Sequence, residues 1–149
     1  MDDMHKDIAE NPDMNPNDTN CGMMKRGHKK PFQADYSYIN GLIDSLMDPD
    51  IAERIFNRYV NDICPHFPAV PLAPSTTVKE IREKKPLLFL AILAGSSHGN
   101  TEQIINQDVQ RELTKLLKDQ FADIIWRNGE KSLEIVQALQ LGVLWYVFH

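Results

Sequence analysis

The sequence predicts an all-α fold, an irregular bundle of five or six helices that follows a disordered N-terminal arm. Three observations support this prediction. Apolar residues recur at three- and four-residue spacing through most of the chain after residue 38, which is the period of an amphipathic helix. Residue pairs that mark helix boundaries separate these stretches, namely Asp48-Pro49, Cys64-Pro65, Lys85-Pro86 and Asn128-Gly129. The first 33 residues, by contrast, contain almost no aromatic or branched aliphatic side chains.

The predicted arm covers residues 1–35, and the predicted helical domain covers residues 36–149. The arm is rich in Asn, Asp, Pro, Met and Lys, so it cannot bury enough apolar surface to offset the entropy lost on ordering. Four permanent positive charges lie within six positions of the arm, a pattern that suits a nuclear-import signal or a phosphate-contacting patch. An ordinary solvated run of charge explains the same pattern. The four residues are Lys25, Arg26, Lys29 and Lys30.

Two short helices are predicted directly after the arm. The first carries one apolar stripe, formed by Ile39, Leu42, Ile43, Leu46 and Met47. Asp48 is placed to cap the second helix, with Pro49 at its first position. Apolar residues at helical spacing then continue to Ile63. Cys64-Pro65 ends this helix, because the residue before a proline is disfavoured in the helical region.

Four prolines, at positions 65, 68, 71 and 74, predict an extended segment that cannot complete a strand ladder. Phe67, Val70 and Leu72 lie among them, and we expect these side chains to pack over a helical surface. The alternative is a polyproline ligand for an aromatic groove on a partner, which requires the same side chains to be exposed.

The next helix is predicted from a capping box, Thr77-Val78-Lys79-Glu80, and runs through Lys84 with Val78 and Ile81 facing inward. Lys85-Pro86 then restarts the chain. Residues 87–94 are apolar on every face, which suits either a central strand or a buried helix. Proline at a first helical position, the Leu and Ala content, and Gly95 as a stop favour the helix.

Two further helices are predicted after a polar loop at residues 95–100. The longer one extends from Thr101 or Glu102 to about Ile125, with a stripe formed by Ile105, Val109, Leu113, Leu116, Leu117, Phe121 and Ile124. Asn128-Gly129 breaks it, and Ser132 can cap the last helix. This last helix carries Leu133, Ile135, Val136, Leu139 and Leu141.

The end of the last helix is apolar almost all round. We expect Leu144, Trp145, Tyr146 and Phe148 to form an exposed interaction surface, through which the chain can associate with itself or with a partner. The alternative is that this terminus folds back onto the other helices.

Composition and charge exclude several classes of protein. The chain has 16 Lys plus Arg against 21 Asp plus Glu, a formal net charge of −5, which gives no general attraction to nucleic acid or to anionic lipid. The longest apolar runs, residues 86–94 and 141–148, are far shorter than the roughly 20 residues of a membrane-spanning helix. Acidic residues at the N-terminus do not fit a secretory signal. We therefore expect an intracellular protein outside the membrane.

No enzymatic or metal site is expected from the residues. Cys21 and Cys64 are far apart in the chain, and neither belongs to a spacing that holds zinc. Cys64 and His66 could form an activated thiol, but Pro65 separates them and no third orienting residue is evident. A buried, structural Cys64 is favoured. We expect no cofactor and no enzyme activity.

Six blocks of sequence carry a resemblance to a known family. They are residues 58–70, 76–80, 85–94, 110–113, 130–139 and 144–146. In this order and spacing the blocks resemble the start of the middle homology region of fungal zinc-cluster transcription factors. The resemblance covers roughly residues 39 to 148.

The resemblance implies a role in transcription. Members of the family have a DNA-binding binuclear zinc cluster of six cysteines, a dimerising linker and a large helical regulatory region. This chain corresponds only to the beginning of the last part, and the cysteines that would hold zinc are absent from it. The implied protein is a fragment or truncated paralogue of a nuclear regulator of RNA polymerase II transcription. Its implied partners are other parts of the parent factor or co-regulator proteins, and specific DNA binding by this chain alone is not expected. The alternative is an independent helical adaptor with no role in transcription.

Overall fold

The structure, a computed structural model, describes residues 34–66, 68–97 and 104–147. Within these ranges the chain forms six α-helices and no strand, which confirms the predicted all-α class. The helices are α1 (Tyr38–Leu46), α2 (Pro49–Arg58), α3 (Val78–Lys84), α4 (Pro86–Ser96), α5 (Gln107–Phe121) and α6 (Leu133–Val147). Residues 1–33 lie outside the described ranges, so the predicted arm and its limits stay a prediction.

Three of the predicted helix caps are confirmed. The Asp48 carboxylate accepts a hydrogen bond from the Asp50 amide at 3.1 Å, with Pro49 at the first position of α2. The Thr77 hydroxyl accepts from the Glu80 amide at 3.2 Å, and the Ser132 hydroxyl accepts from the Ile135 amide at 3.2 Å. These side-chain oxygens satisfy amides that have no partner within their own helices.

Helix α4 forms the centre of the bundle. All 11 of its residues are buried, and it contacts α1, α2, α3, α5 and α6. A segment that is apolar on every face needs cover on every side, and five surrounding helices supply it. The strand alternative is therefore excluded. The prediction that Gly95 ends this helix is wrong, because the backbone of Gly95 stays helical and α4 continues to Ser96.

Helix α5 begins later than predicted. Its first residue is Gln107 rather than Thr101 or Glu102, and the Asn106 side chain caps it by accepting from the Val109 amide at 2.8 Å. Ile105 is buried, as the stripe predicted, but it precedes the helix. Apolar spacing cannot distinguish a buried residue before a cap from one inside the helix, and this caused the error.

Helices α2 and α5 each end in a π-helical turn, which we name π1 (Tyr59–Ile63) and π2 (Ala122–Arg127). In π1 the Cys64 amide donates to the carbonyl oxygen of Tyr59 at 2.8 Å, five residues back. Cys64-Pro65 then ends the continuous helix formed by α2 and π1, as predicted. Gly129, with a positive φ of 64°, ends the continuous helix formed by α5 and π2.

The proline-rich segment packs against π1 through Val70. Val70 is 1% exposed, and its carbonyl oxygen accepts from the buried Tyr59 hydroxyl at 2.7 Å. The thiol of Cys64 lies 3.9 Å from the same oxygen. The predicted packing over a helical surface is therefore confirmed at Val70. The burial of this side chain does not fit the alternative of a polyproline ligand, which requires the side chain to be exposed. Phe67 lies outside the described residues.

The Tyr59 hydroxyl supports a stability prediction. Burial raises the pKa of Tyr59 to about 12, so the hydroxyl remains a donor at neutral pH. Tyr59→Phe leaves the Val70 carbonyl without this partner, and we expect the free energy of unfolding to fall by about 1 to 2 kcal/mol. Urea unfolding at pH 7 measures the change. Tyr38→Phe is the control, with a smaller expected loss because water reaches the 51% exposed Tyr38. An unchanged Tyr59→Phe stability would contradict the prediction.

None of the helices in the part of the chain that the structure describes is long and apolar enough to cross a membrane.

Candidate interaction surface

The inner face of α6 packs against the centre of the bundle. Ile135, Ala138 and Leu141 are buried, and α6 contacts α4 extensively. Gly142 allows α6 to approach α5 closely, because a Cβ atom at this position would lie 3.3 Å from a ring carbon of Phe121. The packing against α4, together with this contact with Phe121, buries one side of α6, and the opposite side points away from the core.

A polar contact orients α6 relative to the start of α4. The Glu134 carboxylate accepts from the backbone amides of Leu87 at 2.8 Å and Leu88 at 3.2 Å. Lys85, the residue before α4, provides no side-chain cap and instead donates from Nζ to the Gln137 side chain at 3.0 Å. Glu134 therefore acts as the cap of α4, although it lies on a different helix.

The environment of Glu134 perturbs its acidity. Burial raises the pKa of this carboxyl above its ordinary value of 4.5, while the amides of Leu88 and Leu87 and the charge of Lys85 act in the opposite direction. Burial is the larger effect. The carboxylate therefore holds its position against a desolvation cost, which the two amide hydrogen bonds partly offset.

The other side of α6 is apolar and exposed. Leu133 is 68% exposed, Val136 is 52% exposed and Val143 is 58% exposed, with the exposed Gln140 between them. We name these four residues the α6 outer face. They follow each other at intervals of three, four and three positions, which is the spacing of the contact positions in a coiled coil. Glu134 is the only charged residue in the α6 sequence, so this face carries no charge.

A groove adjoins the first half of the α6 outer face. It has a volume of about 510 Å³, and its apolar lining is formed by Ile125, Leu133, Ile135, Val136 and Leu139. The polar lining comes from the connection before α6, through Glu130, Lys131 and Ser132. Trp126, which follows Ile125 in π2, is 75% exposed. Exposed large apolar side chains in one region are typical of a surface that binds another protein.

The connection that borders this groove is tied to the start of the bundle. The Tyr36 hydroxyl donates to the Glu130 carboxylate, and the Tyr38 hydroxyl donates to the Gln120 side chain at 2.6 Å. Partial burial of the hydroxyls is the main cause of the raised pKa of Tyr36 and Tyr38, although the Tyr38 side chain as a whole is 51% exposed. Each hydroxyl therefore stays protonated and able to donate. These contacts position the segment before α1 beside the connection to α6, and the start of α1 beside α5.

The surfaces predicted from the sequence lie mostly outside the described residues. This holds for Lys25, Arg26, Lys29, Lys30 and Phe148 and for the side chains of Trp145 and Tyr146, whereas Leu144 is half-buried. The predicted basic patch and aromatic end therefore stay predictions.

Sequence reasoning missed the exposure of Leu133 and Val136, because it placed both in the apolar set of the last helix without separating its two faces. The sequence did contain a signal that α6 has two apolar faces. The spacing of 133, 136, 140 and 143 differs in phase from that of the buried residues 135, 138 and 141.

Cys64 and His66 do not form a reactive pair. The Cys64 thiol is directed at the Val70 carbonyl oxygen, and Nδ1 of His66 lies 2.9 Å from the carbonyl oxygen of Asp62. Cys64 is buried, which agrees with the structural role predicted for it. Over the described ranges, no group of three or more His, Cys, Asp or Glu residues is arranged to hold a metal ion.

Comparison with known proteins identifies relatives among fungal transcription factors. The chain is 34% identical over 110 residues to "Transcription factor pbcR" of Emericella nidulans, covering 74% of this chain and 14% of that protein. It is 28% identical over 109 residues to "Transcription factor himD" of Aspergillus japonicus, covering 72% of this chain and 17% of that protein. It is 28% identical over 81 residues to "Weak acid resistance protein 1" of Saccharomyces cerevisiae, covering 54% of this chain and 9% of that protein.

No protein-family model and no solved structure matches the chain. The match to each of the three relatives spans between 9% and 17% of that relative's own length. Over about three quarters of its length, this all-helical chain is thus similar to a segment of two much longer proteins named as fungal transcription factors.

Proposed function

We propose that this chain is a fragment or truncated paralogue of a fungal zinc-cluster transcription factor and supplies a helical regulatory region for the control of RNA polymerase II transcription. The observation that supports the proposal most strongly is the 34% identity over 110 residues to "Transcription factor pbcR". The order of the sequence blocks that resemble the middle homology region agrees with it. The all-helical fold is the class expected for such a region.

In this proposal the chain acts by binding other proteins rather than by catalysis. Its binding surface is the α6 outer face with the adjoining groove, and its partners are other parts of the parent factor or co-regulators. With two cysteines in its sequence the chain cannot form a cluster that needs six. Zinc therefore belongs to the parent family, and we do not expect this chain alone to recognise a DNA sequence.

The proposal predicts that the chain accumulates in the nucleus and affects transcription there. Lys25, Arg26, Lys29 and Lys30 are the proposed import signal. Because a 17.1 kDa chain can diffuse through nuclear pores, the test uses a fusion to several fluorescent proteins in a fungal cell. We expect nuclear fluorescence, and we expect a change in reporter expression when the chain is fused to an unrelated DNA-binding domain.

A matched control separates the import signal from net charge. Replacing the four basic residues of the arm with alanine is expected to abolish nuclear accumulation. Replacing four exposed basic residues of the helical domain, Lys79, Arg111, Lys115 and Lys131, is expected to leave it intact. A second candidate function would be supported by two results together. The fluorescent fusion with its four basic residues intact would be excluded from the nucleus, and the fusion to the DNA-binding domain would leave reporter expression unchanged. That candidate is an independent helical adaptor with no role in transcription, which would bind its partner through the same exposed apolar side of α6.

A further inference from the structure

Helix α3 has the fewest buried residues of the six helices. It is seven residues long, and only its Ile81 is buried. It packs mainly against α4, whose 11 residues are all buried. Elements that bury few apolar side chains are the ones that open at the lowest free energy, while the rest of a protein stays folded.

The chain on both sides of α3 allows this helix to move as a unit. Residues 71–80 contain no buried side chain, so the nearest anchor before Ile81 is Val70. On the other side, Lys85 separates α3 from α4, and its backbone angles, φ −143° and ψ 63°, are not helical. Residues at the ends of helices can act as hinges because they absorb a change in backbone angles.

A polar contact centred on Arg82 holds α3 against α1. Nη2 of Arg82 donates to the Asp44 carboxylate at 2.6 Å and lies 3.4 Å from the carbonyl oxygen of Asn40. The Asn40 side chain donates in return to the carbonyl oxygen of Arg82 at 2.9 Å. We name these three residues the Arg82 latch. Because the Asp44 side chain is 43% exposed, water and salt compete with the latch.

The Arg82 latch also covers the centre of the bundle. The Arg82 guanidinium lies over the ring of the fully buried Phe89, so a charged group covers one face of a core side chain. The closed arrangement has a cost, because Oδ1 of Asn40 is buried and accepts no hydrogen bond within the described residues. Water can reach this oxygen when α3 moves away, and this lowers the cost of opening.

We propose that α3 is a lid, held closed by the Arg82 latch, that opens about Lys85 while the other five helices stay folded. In the open state, Arg82 exchanges its contacts with Asp44 and Asn40 for water, and one face of the Phe89 ring becomes accessible. The bundle therefore has a second, less populated conformation that differs from the first in the cover of α4. This device does not depend on a role in transcription.

Hydrogen exchange of the full chain at pH 7, followed by NMR, tests the lid. The amides of residues 81–85 donate within α3 or at its end, so their exchange reports its opening. Relative to intrinsic rates, we expect them to exchange about 100-fold faster than the amides in the middle of α4. Low concentrations of urea should accelerate α4, which exchanges by global unfolding, and should hardly affect α3, which exposes little surface on opening.

The variant Asp44→Asn tests the latch. It keeps the shape of the side chain and removes the charge that pairs with Arg82, so we expect exchange in α3 to rise by about three- to tenfold. Exchange in α4 should rise by the same factor, since global unfolding also breaks the latch. Asp108→Asn is the matched control. It makes the same change in the exposed pair of Asp108 with Arg111, and it should leave exchange in α3 unchanged.

The variant Ile135→Val separates opening of the lid from global unfolding. Ile135 is buried on the inner face of α6, which stays packed when the lid opens. We therefore expect this variant to accelerate exchange in α4 and to leave exchange in α3 unchanged. The proposal is overturned if α3 and α4 respond equally to urea, if Asp44→Asn leaves exchange in α3 unchanged, or if Ile135→Val accelerates both helices equally.

Discussion

Replacing Glu134 with alanine is expected to lower the free energy of unfolding by about 2 to 4 kcal/mol. The variant removes the acceptor of two hydrogen bonds, those from the amides of Leu87 and Leu88 at the start of the buried helix α4. No side chain near these amides in sequence replaces it, since Lys85 makes no cap. The loss combines a missing helix cap with buried amides that have lost their acceptor. Urea unfolding at pH 7 measures it.

Glu134→Gln is the matched control for this prediction. The glutamine carbonyl oxygen can accept from the same two amides, so we expect this variant to lose clearly less stability than the alanine variant. Equal losses would show that the negative charge of the side chain matters rather than its capacity to accept hydrogen bonds, because glutamine keeps the size of glutamate.

A pH series distinguishes the charge of Glu134 from its hydrogen bonds. Burial raises the pKa of Glu134 above 4.5, so the folded chain binds the proton more tightly than the unfolded chain does. The favourable contribution of this group is therefore complete below pH 4.5 and is lost as the pH rises through the raised pKa of the folded state. We expect the stability of the unmodified chain, relative to Glu134→Gln, to fall as the pH rises from 4.5. A relative stability that increased with pH would contradict this assignment.

Phe89→Ala is expected to lower the free energy of unfolding by about 3 to 5 kcal/mol. Phe89 is fully buried in α4, and its ring meets that of Phe56 edge to face with centroids 6.0 Å apart. The guanidinium of Arg82 lies over the same ring, 5.5 Å from its centroid. Alanine removes both contacts and leaves a cavity that five surrounding helices cannot close. Because small domains are stable by only about 5 to 15 kcal/mol, partial unfolding at room temperature is an expected outcome.

Two controls accompany Phe89→Ala. Phe89→Leu keeps most of the apolar volume and should lose less, about 1 to 2 kcal/mol. Leu133→Ala truncates an apolar residue that is 68% exposed, and it should change stability by less than about 0.5 kcal/mol when the chain is monomeric. If Leu133→Ala destabilised the monomer as much as Phe89→Ala, the assignment of core and surface faces would be wrong. Thermal and urea unfolding at low protein concentration provide both comparisons.

The caps at Asp48, Thr77 and Ser132 were predictable because each depends on residues at most three positions away. Burial of residues 87–94 was predictable as well, because a segment with no polar face has to be covered. The start of α5 was not, since the buried Ile105 fits the helical stripe although it precedes the cap at Asn106. The cap of α4 could not be predicted either, because Glu134 lies 47 positions from Leu87 in sequence and reaches it only in the folded bundle.

By itself, the sequence determined the helical class, most helix boundaries, and the resemblance to a region of fungal transcription factors. These properties depend on short-range spacing, on proline and capping chemistry, and on the order of sequence blocks. Only the tertiary structure decided which side of α6 is buried. Both sides are apolar, and only the packing of α4 and α5 against one of them leaves Leu133, Val136 and Val143 exposed. Burial is a property of surfaces that meet in space. The spacing within α6 therefore separates two sets of apolar residues, but it does not show which of the two sets is the core.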